Sequence, residues 1–98
     1  MSRRDNPEEA PQHSAAKEKL VATAAAEWGA TAAQRVIPRV QAAGTKDEVS
    51  ALLNELARAI VSEARTRFSD DPALAEVWRV AAHEAACAQL SAVEWQGP

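Results

Sequence analysis

Ninety-eight residues with a net charge of −3 and a pI near 5.3 make one small domain and argue against a general nucleic-acid binder, whose affinity comes from neutralising phosphates. Alanine supplies 24 of the hydrophobic residues, while Leu, Ile, Val and Phe together supply 17. That balance predicts an Ala-rich, all-α protein with a thin core, because alanine is the strongest helix former yet buries little apolar area.

Other classes fall away on composition. No apolar run reaches the 18 or so residues of a membrane span, so no membrane role is expected. Arg3-Arg4 is a twin arginine without a following apolar stretch, which argues against export. Cys87 is the only cysteine, so no internal disulfide can form, and a reducing cytoplasmic compartment fits. The alanine excess, eight arginines against three lysines and the lack of tyrosine match the composition of a GC-rich bacterial genome.

Residues 1–13 carry two prolines and mixed charge, and read as a disordered tail. The bundle domain is expected over 14–96. Ser14 is the expected N-cap of a first helix over 14–43. Leu20, Ala24, Trp28, Ala32, Val36 and Val40 form its ridge at i, i+4, with Val21, Ala25 and Ile37 beside it. Gly44 suits the position after the C-cap. Gly29 costs about 1 kcal/mol relative to alanine, and Pro38 removes an N–H and crowds the carbonyl of Gln34. A bend near Pro38 is expected in one long helix; a break there would give four helices instead of three.

Thr45 and Glu48 have the spacing of a capping box, and open a second helix over 46–68. Val49, Leu52, Leu53, Leu56, Ile60, Ala64 and Phe68 fall on one face of it. It alone carries a full set of large aliphatic side chains, so it is expected to be the central rib against which the other two helices pack. Leu53 and Leu56 are expected to be equally essential to it. Asp71-Pro72 then predicts a third helix over 72–94, with Asp71 as cap and Pro72 in the first turn. Its core stripe reads as Leu74, Val77, Trp78, Ala81, Ala85, Ala88 and Ala92. Short connections favour antiparallel neighbours and hence an antiparallel three-helix bundle.

Few residues carry chemistry. His83 and Cys87 stand one turn apart, and imidazole with thiolate suits Zn or Cu(I). They supply two donors where a tetrahedral site needs four, and the rest would come from His13 or a second subunit. Cys87 is otherwise expected as a small core hydrophobe, its thiol towards the interior. No Glu-x-x-His occurs, which argues against a di-iron centre, and the isolated glycines exclude a phosphate loop. Arg35, Arg39, Arg58 and Arg65 would converge on an anion if the first two helices packed suitably, or else salt-bridge with Glu27, Glu55 and Glu63. One arginine against three glutamates on the third helix argues against a helix-turn-helix reader.

Ala86, Leu90 and Val93 read as a second apolar strip on the outer face of the third helix. With Trp95 at its end, the strip is the expected interface. The functional expectation is a non-enzymatic protein that works by helix packing, as a homodimer or accessory subunit, with no cofactor. The alternative is a metal- or redox-responsive regulator using His83 and Cys87.

Overall fold

The computed structural model describes residues 15–93. The tail, Ser14, His13 and Trp95 lie outside that range; the third helix ends at Ser91, short of the expected 94, with Ala92 as its C-cap. Three helices make up the described chain: α1 (Ala15–Ala42), α2 (Lys46–Arg67) and α3 (Pro72–Ser91). Among the described residues there is no strand, and no helix is long and apolar enough to cross a membrane.

The punctuation acts as its chemistry dictates. The Thr45 hydroxyl accepts from the Glu48 N–H at 3.1 Å, and the Glu48 carboxylate accepts from the Thr45 N–H at 3.3 Å. That reciprocal pair satisfies two N–H groups that the first turn of α2 leaves free. Asp71 caps α3 by accepting from the Leu74 N–H at 3.1 Å, and Pro72 occupies a position where its missing N–H is not needed. α1 runs unbroken through Gly29 and Pro38. Gln34 and Pro38 are both solvent-exposed, so water can serve the carbonyl that Pro38 cannot.

Consecutive helices run antiparallel, which leaves α1 and α3 side by side in the same direction. Trp28 meets Trp78, Gly29 meets Ala82 and Gln34 meets Gln89, in the same order along both helices. These two helices, not α2, form the tight pair; each touches α2 far less than it touches the other. This overturns the expectation that α2 is the central rib. The reason lies in the side chains: Ala25, Gly29 and Ala33 of α1 and Ala82 and Ala86 of α3 are all buried and all small, so the backbones come close. A Cβ on Gly29 would overlap the Ala82 carbonyl oxygen and stand 2.9 Å from its Cα. The glycine that looked like a cost to α1 is what admits α3.

α2 lies along one side of this pair and buries only Leu56, Ile60 and Ala64, at i, i+4 spacing. Full burial of a large aliphatic stabilises by about 1.5–3 kcal/mol, so Leu56 and Ile60 hold α2 in place. Trp78 is 1% exposed and fills the space that the alanines leave, tilted against Trp28 at 5.1 Å between ring centroids. The Arg67 guanidinium lies over its ring at 5.3 Å, and its Nε1 has no hydrogen-bond partner.

Candidate interaction surface

Parts of both α1 and α3 are turned by one residue from their expected phase. α1 buries Val40 as expected, but Ala25, Gly29 and Ala33 where Ala24, Trp28 and Ala32 were expected. α3 buries Leu74 and Trp78 as expected, then Ala82 and Ala86 where Ala81 and Ala85 were expected. The rotation has two consequences for the candidate residues. Ala86 is 2% exposed and belongs to the core, which corrects its place on an outer strip. Leu90 is half-buried against the same core, and Val93 is half-buried at the end of α3, its N–H bonded to the Leu90 carbonyl at 3.0 Å. Trp95 lies outside the described residues. The strip therefore loses its first residue as a surface.

The second consequence concerns Cys87. With Ala86 inward, the next residue turns out, and Cys87 is exposed where a core position was expected. Its Sγ stands 3.8 Å from both ring nitrogens of His83. Two donors thus share one patch of α3, but no third joins them: among the described residues, no three His, Cys, Asp or Glu side chains are placed to hold a metal.

The arginines do not converge. Arg39 reaches Glu55 at 3.6 Å, between α1 and α2. Arg58 and Arg65 lie apart from that pair, in a shallow depression on α2 with Ala57, Val61, Ser62 and Thr66. Glu63 pairs with Arg67 at 2.8 Å. On α3, Arg79 Nε donates to Glu76 at 2.9 Å, and that hydrogen bond holds the Glu76 carboxyl below its ordinary value and raises Arg79.

Among the described residues the exposed large aliphatics are Leu20 on α1, 72% exposed, Leu53 on α2 and Val80 on α3. Leu53 is one heptad before Ile60 and so on the same line of the helix, yet it is 38% exposed against 2% for Ile60. Val49, Leu52 and Val61 are half-buried, and no residue of α2 before Leu56 is buried. A groove between α2 and α3, lined by Val61, Arg65, Phe68, Pro72, Ala75 and Arg79, continues this surface. Sequence reasoning assigned Val49, Leu52 and Leu53 to the core. The signal against it was in the count: α2 offers more large side chains than two alanine-lined helices can enclose.

No family model matches the chain, and no curated protein or solved structure matches it.

Proposed function

We propose that this chain is a non-enzymatic helical interaction protein of the bacterial cytoplasm, acting through helix packing as a homodimer or as an accessory subunit. One observation carries the reading: Leu53 shares a line of α2 with buried Ile60 and is 38% exposed. A helix that continues its apolar face past the edge of its own bundle has surface to offer a partner. Among the described residues, no three His, Cys, Asp or Glu side chains are placed to hold a metal ion that would compete with this reading.

Sedimentation equilibrium over a wide concentration range tests the homodimer. A dimer mass, with a Tm that rises with protein concentration, is expected. A stable monomer with a Tm independent of concentration removes self-association and leaves the accessory role.

A second reading rests on the exposed His83–Cys87 pair, whose 3.8 Å separation lets both side chains face one soft ion. It makes the protein a metal- or redox-responsive regulator, with a second subunit completing the ligand set. Zinc should then shift the oligomeric state of the parent protein and leave Cys87→Ala unaffected. Equal responses from the two proteins would discard it.

A further inference from the structure

Leu53, Ala57 and Val61 follow each other at i, i+4 spacing and form a ridge on α2; Leu53 and Ala57 are exposed and Val61 half-buried. Asp47, Arg58 and Arg65 run beside the ridge at positions 11 and 18 after Asp47, which places them on one strip of the helix. These three have no ion-pair partner among the described residues, whereas Glu55, Glu63 and Arg67 are paired within the chain. The charge along α2 is segregated. Its first eleven residues hold Asp47, Glu48 and Glu55 against Lys46, a net −2; its last eleven hold Arg58, Arg65 and Arg67 against Glu63, a net +2.

We propose that a second copy of this chain docks α2 against α2, antiparallel, with a two-fold axis at Ala57. This rests on the homodimer reading above and gives it a surface and a direction. Charge decides the direction. A parallel pair would set −2 on −2 and +2 on +2, while an antiparallel pair sets each half on its complement. Ala57, lacking bulk, meets its own copy at the axis and lets the helices approach. Leu53 then packs on Val61 of the partner subunit, and Asp47 comes within reach of the partner subunit's Arg65. The two-fold makes every contact twice and closes the assembly at two chains. It also covers a ridge of α2 that its own bundle leaves partly open.

Cross-linking of the full chain in a Cys87→Ser background tests the geometry. Ala57→Cys should form a disulfide-linked dimer under mild oxidation, because its two copies meet at the axis. Leu53→Cys alone should not, since its copies stand about 12 Å apart along an antiparallel pair. A mixture of Leu53→Cys and Val61→Cys should cross-link. Asp47→Arg and Arg65→Asp should each weaken the dimer roughly tenfold, and the double swap should restore it. If the parent chain sediments as a dimer but Ala57→Cys does not cross-link, or Leu53→Cys links to itself, the antiparallel α2 pair is wrong while the homodimer stands. A parent that sediments as a monomer at every concentration overturns both. Circular dichroism of each variant, which should be unchanged at these accessible positions, separates failed docking from failed folding.

Discussion

Where α1 and α3 lie closest the buried residues are Ala25, Gly29, Ala33, Ala82 and Ala86, with Val40, Leu74 and Trp78 the larger ones; from α2 they are leucine, isoleucine and one alanine. Judged by side-chain size, α2 should be the best-held helix. It is the least held, because large side chains keep helix axes apart and need a deep partner surface, whereas small ones let two backbones meet along their length. Much of the bundle's contact is therefore made by residues that each contribute little area, and the residues with most area to give are partly left in water. Packing here follows fit before bulk.

The sharpest way to break the comparison is charge on α2. Leu56→Asp buries a carboxylate with no partner, a penalty of several kcal/mol, and should unfold the domain as read by far-ultraviolet circular dichroism. Leu53→Asp, three residues earlier and 38% exposed, should cost about 1 kcal/mol and leave the helices intact. Equal effects would mean that α2 is enclosed along its whole length. Next in size is Trp78→Ala, which removes the largest of the fully buried side chains and should cost about 3–5 kcal/mol in urea denaturation. Trp78→Phe should cost less than about 2 kcal/mol, since its Nε1 makes no hydrogen bond to lose.

Gly29→Ala tests the seam by the sign of its effect. In an open helix it would stabilise by about 1 kcal/mol. Here the added methyl meets Ala82 backbone, which cannot turn away, and a net loss of about 1–3 kcal/mol is expected. Gly44→Ala is the control, since a Cβ there meets nothing nearer than the Glu48 carboxylate at 3.5 Å. The smallest effect belongs to Glu76. Its hydrogen bond from Arg79 lowers the carboxyl below the ordinary 4.5, so its contribution is present above that pH and fades as pH falls through the lowered value. The pair lies at the surface, and Glu76→Gln should do no more than slightly flatten the acid limb of a Tm-against-pH profile.

Where the chain carries strong local chemistry, the sequence was legible. Thr45 with Glu48, and Asp71 with Pro72, marked helix starts that the structure reproduces, and three helices follow from them. The rotation of α1 and α3 was not legible. Alanine occupies 24, 25 and 26 on α1, and 81, 82, 85 and 86 on α3, so neighbouring phases look equally apolar. Only Gly29 broke the tie, and a single glycine reads as a weakness unless a second helix is known to lie against it. The misplaced candidates follow from that ambiguity: Ala86 turned in and Cys87 turned out.

The seam also constrains the order of events in folding. Gly29 and Ala82 are separated by about half of the chain, and α2 lies between them in sequence without lying between them in space. α1 and α2 can meet early as a hairpin, but they share few contacts, and the small-residue face of α1 stays bare until α3 arrives. That pairing is long-range, whereas helical bundles owe their speed to local contacts. The domain should consequently fold slowly for its class and in one cooperative step, with the closing of α3 onto α1 as its barrier.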